Sequence, residues 1–152
     1  MKPGSNISID SYFVYRESDI TNQYYIIGKV SANECCIFID TNSDPIKQAN
    51  KYELSVKDIC GNESMRSEAH KTMHLSINKG VGNSWNLIWE SYEGFAVNGY
   101  RIYRGTALGN LQLIGSTSGS NTQFTDLSPP PGDLSYQTEV LGPQACNPGI
   151  TY

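Results

Sequence analysis

The stretch Tyr100-Arg101-Ile102-Tyr103-Arg104 decides the fold, because it has a counterpart 88 residues earlier in Tyr12-Phe13-Val14-Tyr15-Arg16. Ile114-Gly115 answers Ile27-Gly28 in the same way, and Phe124-Thr125-Asp126 answers Phe38-Ile39-Asp40. Tyr136 with Val140 answers Tyr52 with Val56. The order is kept while the offset drifts only between 84 and 88. Solenoid units repeat every 20–50 residues or so, so the longer period is that of a small all-β domain. Two such domains need about 180 residues, and the chain has 152. The duplication is therefore broken.

Outward from these stretches, segments rich in Tyr, Ile and Val alternate with clusters of Gly, Asn, Ser, Asp and Pro, the pattern of short antiparallel strands. In the first half the pattern predicts strands near 9–16, 23–30, 35–40, 51–57 and 66–70. In the second it predicts 72–78, 84–90, 98–104, 111–118, 121–125 and 134–141. Trp85-Asn86-Leu87-Ile88-Trp89 is a strand of alternating large residues with no counterpart ahead of Tyr12. The first copy is thus expected to lack its first two strands, and the second to have a last strand that is short or absent. No helix is expected beyond one short turn between Pro45 and Lys51. Gly28 and Gly115, inside strand patterns, mark a bulge or a close backbone approach.

The hydrophobic share is 38%, charged residues make up 17%, and the net charge is −4. No run of Lys or Arg offers the basic stripe that phosphate backbones require, which argues against nucleic acid as a partner. No apolar run reaches the length of about 18 residues expected of a membrane-spanning helix. Met1-Lys2-Pro3-Gly4 is not followed by the apolar core of an export signal. The many Tyr, Ser, Thr, Asn and Gly residues fit an extracellular β-module, so a secreted or surface location is expected, with any export signal outside these residues. Cys35, Cys36, Cys60 and Cys146 form no CxxC pair, and His70 and His74 stand apart from them in sequence, so zinc is not expected. A bond from Cys60 to Cys35 or Cys36 is one arrangement; buried or idle thiols are the preferred one.

Taken together these segments resemble tandem fibronectin type III domains. Tyr100–Arg104 is similar to that family's third strand, with Trp89 on the second strand before it. Tyr136, opening the strand Tyr136-Gln137-Thr138-Glu139-Val140, resembles the tyrosine corner of such sandwiches. Tyr52-Glu53-Leu54-Ser55-Val56, followed by Asp58 and Gly61-Asn62-Glu63-Ser64, is similar to the sixth strand and loop of bacterial surface modules. The resemblance implies an all-β chain of two immunoglobulin-like (fibronectin type III) β-sandwiches in tandem. Residues 1–69 form an incomplete module and residues 70–152 a second one, and the hand-over falls near Glu68–Met73. It further implies a non-catalytic, secreted or cell-surface bacterial protein for adhesion, protein contact or domain spacing. The alternative is an accessory module of a glycan-degrading enzyme. Fold alone names no ligand.

No cofactor motif is present: there is neither GxGxxG nor a P-loop. Ser64 and Ser67 lack a Gly-x-Ser-x-Gly context, and Asp40 and Asp126, each closing a predicted strand, read as turn-capping carboxylates. His70 and His74 read as linker residues. Asp58, Asn62 and Glu63 read as a solvated loop in preference to a calcium site. Tyr92 and Phe95, in the loop after Trp89, are the candidates for stacking on a sugar.

Residues on one strand alternate between faces. The expected inward set agrees between copies: Tyr12 with Tyr100, Val14 with Ile102, Phe38 with Phe124. The expected outward set does not, since Phe13, Tyr25, Ile37 and Ile39 stand where the second copy has Arg101, Gln112, Gln123 and Thr125. Four apolar-for-polar exchanges in one direction point to a covered face, and missing strands leave a core side and a sheet edge open. The first module is therefore expected to be completed by a protein partner, either another copy of the chain or sequence upstream of residue 1.

Overall fold

In the computed structural model, which describes residues 8–34, 37–107 and 109–143, every regular element is a strand. The chain divides into two compact units, Met1–Thr72 and Met73–Tyr152.

The first unit contains β1 (Ile9–Glu17), β2 (Tyr24–Ser31), β3 (Lys51–Asp58) and the short β4 (His70–Lys71). They form one antiparallel sheet in the order β2-β1-β3-β4. The β1–β2 hairpin closes through Ser18 N–H to the Gln23 carbonyl at 2.7 Å, with Asn22 in the left-handed region at φ 65°. Asparagine tolerates that region better than other side-chain-bearing residues. His70 and Lys71, expected at the head of the second module, instead pair with Tyr52 and Lys51 of β3.

The second unit contains β5 (Leu75–Lys79), β6 (Trp85–Trp89), β7 (Gly99–Gly105), β8 (Gln112–Ser118), β9 (Gln123–Asp126) and β10 (Ser135–Leu141). Two three-stranded sheets, β5-β6-β9 and β10-β7-β8, face each other. This is an immunoglobulin-like sandwich, with alternate residues of both inner faces making the core. Leu87, Trp89, Tyr100 and Ile102 are buried at its centre, and Leu75, Trp85, Phe124 and Tyr136 pack around them. Trp89 meets Tyr100 edge to face, ring centroids 5.3 Å apart.

Superposing the strand orders shows what the first unit lacks. Its β1, β2 and β3 correspond to β7, β8 and β10, the sheet that carries Tyr100 and Ile102. The sheet that should cover it, the equivalent of β5-β6-β9, does not occur among the described residues. The strand expected at 35–40 illustrates the consequence. Residues 37–40, equivalent to β9, carry no regular structure and have no ladder partner among the described residues, whereas in the second unit β9 is laddered to β6. The strand expected at 66–70 is likewise regular only at its end. Ser64 and Ser67 donate backbone N–H to the carbonyls of Val56 and Leu54, while their hydroxyls accept the N–H groups of the same two residues. Side-chain oxygens thus take positions that a second strand's carbonyls would occupy.

The same bulge interrupts both copies, between Val14 and Tyr15 against β2 and between Ile102 and Tyr103 against β8. Beside it Gly28 pairs with Val14 and Gly115 with Ile102. A phenylalanine ring lies on each glycine: a Cβ on Gly28 would stand 2.0 Å from Phe38 Cε2, and one on Gly115 2.5 Å from Phe124 Cε2. The expected bulge and the expected close approach are both present. Both tryptophans belong to the second unit, so their fluorescence follows it alone. Gly115→Ala is expected to lower its stability by about 1–3 kcal/mol, because Phe124 is held in a laddered strand and cannot yield. Gly28→Ala should cost the first unit less, since Phe38 sits on an unladdered segment. Urea titrations followed by tryptophan fluorescence and by far-UV circular dichroism measure the two separately.

Candidate functional site: the uncovered face of the first unit

An antiparallel sheet buries a face only if something is laid on it. On the inner face of the first unit no second sheet is, among the described residues, although Phe38 covers Gly28 and Val14 and Val30 are buried. Tyr12 and Val14 of β1, Val30 of β2, and Tyr52 and Leu54 of β3 line an open apolar cleft of about 720 Å³, closed at one side by Phe38, Ile39 and Asp40. The contrast with the second unit is direct. Tyr100 is 0% exposed, whereas its counterpart Tyr12 is only half-buried; Leu54 remains 48% exposed.

A charged cluster anchors one end of the cleft. Arg16 Nη1 lies 2.7 Å from Asp40 Oδ2, and Tyr52 donates its hydroxyl to the same oxygen at 3.0 Å. The other oxygen, Oδ1, accepts the backbone N–H of Asn42 at 3.0 Å. The second unit repeats every contact: Arg104 Nη1 at 2.6 Å and the Tyr136 hydroxyl at 2.8 Å from Asp126 Oδ2, with Ser128 N–H on Oδ1 at 3.3 Å. The turn-capping role expected of the two aspartates is present, and it is half of what they do. Spacing along the chain links Asp40 to Asn42 but says nothing of Arg16 or Tyr52, which come from other strands. The repeat itself was the available signal, since all three residue types recur together. Tyr136, which resembles a tyrosine corner, here donates to a side chain.

Burial works against the charge on Asp40 and Asp126, but the arginine and tyrosine hydrogen bonds outweigh it and hold both carboxyls below their ordinary range. Burial and the bond to Asp126 push the Tyr136 phenol up to about 12. The hydrogen bond that Arg16 donates to the Tyr25 hydroxyl raises the Arg16 pKa, against the lowering effect of burial and with a further rise from Asp40.

The structure does not gather Phe13, Tyr25, Ile37 and Ile39 on one face. Phe13 is on the outer face of β1, with Lys57 Nζ 5.8 Å from its ring centroid. Tyr25, expected outward, lies on the inner side: it pairs with Arg16 and its hydroxyl accepts from Arg16 Nε at 3.0 Å. The bulge at Val14/Tyr15 adds a residue to β2, and every residue beyond it changes face. Ile37 and Ile39 are 71% and 74% exposed, on the unladdered segment, and Ile39 borders the cleft. The outer face has its own cover: Tyr15 and Ser55 both donate to Glu63 Oε1, and the Arg66 guanidinium lies 4.7 Å from the Tyr15 ring centroid.

Tyr92 and Phe95 stack on each other, centroids 4.3 Å apart. Phe95 also lies against Gly142. His70 belongs to the first unit and His74 to the second. Asp58 takes the N–H groups of Cys60 and Asn62, closing a loop on itself. Cys60 is exposed, and Cys35, Cys36 and Cys146 lie outside the described residues. Among the described residues no cluster of three or more His, Cys, Asp or Glu side chains is placed to hold a metal, and no helix is long and apolar enough to cross a membrane.

No family model matches the chain, and no curated protein sequence matches it. Among solved structures it is similar to the FN1–FN3 domains of chicken CNTN1, with 14% identity over 87% of this chain and a TM-score of 0.39. The match spans 48% of that structure's length.

The charge cluster has a pH signature. The depressed carboxyl of Asp126 stabilises the fold above the unfolded carboxylate value of about 3.9, and that contribution is lost as pH falls through the lower folded value. The raised phenol of Tyr136 contributes below the unfolded value of about 10, and its contribution is lost as pH rises toward about 12. Asp126→Asn is expected to cost about 3 kcal/mol, the low end for breaking a buried pair, because Arg104 keeps some solvent. It should also flatten the acid limb of the stability profile. Tyr136→Phe should cost about 1 kcal/mol at neutral pH and make the alkaline limb shallower. Urea midpoints by tryptophan fluorescence between pH 3 and pH 11, roughly the span of these two titrations, test both.

Proposed function

We propose that the chain is a non-catalytic contact module of a secreted or cell-surface protein. It is read as two fibronectin type III-like modules in tandem, residues 1–69 and 70–152, serving adhesion, protein contact or domain spacing. The second unit is the closed element. The first presents its uncovered face to a protein partner. Composition supports the extracellular setting, and the loop Asp58 to Ser64 supports a bacterial surface module.

One observation carries the reading: the apolar cleft of Tyr12, Val14, Val30, Tyr52 and Leu54 is held open by the same contacts that close the second unit. A face of this kind left in water is unfavourable at about 25 cal/mol per Å² of apolar surface, and covering it is the driving force for contact.

The test is the fluorescence of an apolar dye such as anilinonaphthalene sulfonate, with sedimentation velocity at micromolar protein. The chain is expected to bind the dye or to self-associate. Leu54→Glu, at an exposed position of β3, should reduce either effect several-fold without changing the circular dichroism spectrum. A monomer that melts cooperatively and binds no dye overturns the proposal.

A further inference from the structure

Asp44-Pro45 is the one Asp–Pro bond of the sequence, and it has no counterpart in the second copy, where the matching loop runs Ser128-Pro129-Pro130-Pro131. It lies in the connection between the clamped Asp40 and the first residue of β3. Residue chemistry alone gives this bond two properties. The proline nitrogen carries no hydrogen, and as part of a tertiary amide it takes up a proton more readily than other backbone nitrogens. An aspartate carboxylate can also reach its own backbone carbonyl carbon through a small, unstrained ring.

The fold adds to both. The Asp44 carbonyl oxygen accepts the backbone N–H of Lys47 at 3.0 Å and that of Gln48 at 3.2 Å. Donors already fixed on a carbonyl stabilise the negative charge that develops on its oxygen when the carbon is attacked. The Asp44 side chain is folded forward along the chain, since Oδ1 accepts the Ile46 N–H at 3.2 Å and Oδ2 lies 2.9 Å from Lys47 Nζ. That fold lays the carboxylate beside the peptide bond to Pro45, and confining a nucleophile near its target lowers the barrier. The ion pair to Lys47 is exposed and costs little to break. Pro45, Ile46 and Lys47 are exposed, so water and hydronium reach the bond. A capped turn accounts for these hydrogen bonds, and the same bonds polarise a carbonyl that has a carboxylate next to it.

We infer that Asp44-Pro45 is a site of self-cleavage in mild acid. One carboxylate oxygen of Asp44 attacks the Asp44 carbonyl carbon and forms the new C–O bond of a cyclic anhydride. The bond from that carbon to the Pro45 nitrogen breaks, and the nitrogen, protonated by hydronium, leaves as a secondary amine. Water then opens the anhydride to the two carboxylates of a C-terminal Asp44. Of the two protons released, one replaces that taken from hydronium and the other ends on the Pro45 amine. The net change is addition of water, with nothing oxidised or reduced. The products are residues 1–44, which carry β1 and β2, and residues 45–152, which begin ahead of β3. The β1–β3 ladder holds the two together, so cleavage turns the first unit into a two-chain unit without taking its sheet apart.

The test incubates the full chain, folded and in urea, at about pH 5 and about pH 7, both above the ordinary carboxylate value. Circular dichroism records the fold, and intact masses are read after denaturation. Fragments 1–44 and 45–152 are expected, together one water heavier than the chain. They should form faster at the lower pH, and at least about tenfold faster in the folded chain than in urea. Asp44→Ser keeps an oxygen to cap the turn but has no carboxylate, and it is expected to abolish cleavage with an unchanged circular dichroism spectrum. Pro45→Ala, which restores a secondary amide, should slow cleavage by a similar factor. Equal rates in the folded and the urea-unfolded chain overturn the inference, leaving only the acid lability common to such bonds. Cleavage that persists in Asp44→Ser, or a folded chain that stays intact at the lower pH, overturns it as well.

Discussion

One oxygen of an aspartate, held by an arginine and a tyrosine from two other strands, is the contact on which both units depend. In the second unit Asp126 ends β9 in one sheet, while Arg104 and Tyr136 belong to the other, so the cluster pins the two sheets together at one end. In the first unit Arg16, Asp40 and Tyr52 make the same cluster with only one sheet present. A buried charge left unpaired is costly, so the contact is made even though, among the described residues, residues 37–40 have no ladder. It ties Asp40 to β1 and β3.

The open face follows from this. Without the clamp, residues 37–40 would be free to leave the sheet or to fold across it and blunt the apolar surface. With it, Phe38 is seated on Gly28 at one side, and Tyr12 and Leu54 stay accessible at the other. The outer face offers no such opening, because Glu63 and Arg66 lie across Tyr15 and Ser55. The two faces of one small sheet therefore differ in kind: one is sealed by polar side chains of its own unit, the other is shaped but unfilled.

Much of the architecture was legible in the residues. The duplicated Tyr-x-(Val/Ile)-Tyr-Arg strand, the glycine inside the strand after it and the phenylalanine two residues before each aspartate recur in both copies, and each phenylalanine lies on its glycine. Ahead of Tyr12 no stretch of this sequence matches Trp85–Trp89, and among the described residues no second sheet covers the inner face of the first unit. Tyr25 was not legible. Counting alternate positions along β2 puts it outward, and the extra residue at the bulge turns it inward to Arg16. Residues 37–40 misled for a different reason: Ile37-Phe38-Ile39 has strand composition, but a strand is defined by its neighbour, and among the described residues this one has none.

By itself, then, the sequence determined the strand pattern, the duplication and the identity of the residues that recur, because alternation and repetition are properties of order along a chain. Only the tertiary structure decided which face each residue serves, that Arg16, Asp40 and Tyr52 meet, and that Tyr12 and Leu54 border a cleft instead of a core. Those depend on hydrogen-bond register and on what lies across a sheet. Both are settled by pairing between segments distant in sequence, where one inserted residue reverses a face and one absent strand turns an interior into a surface.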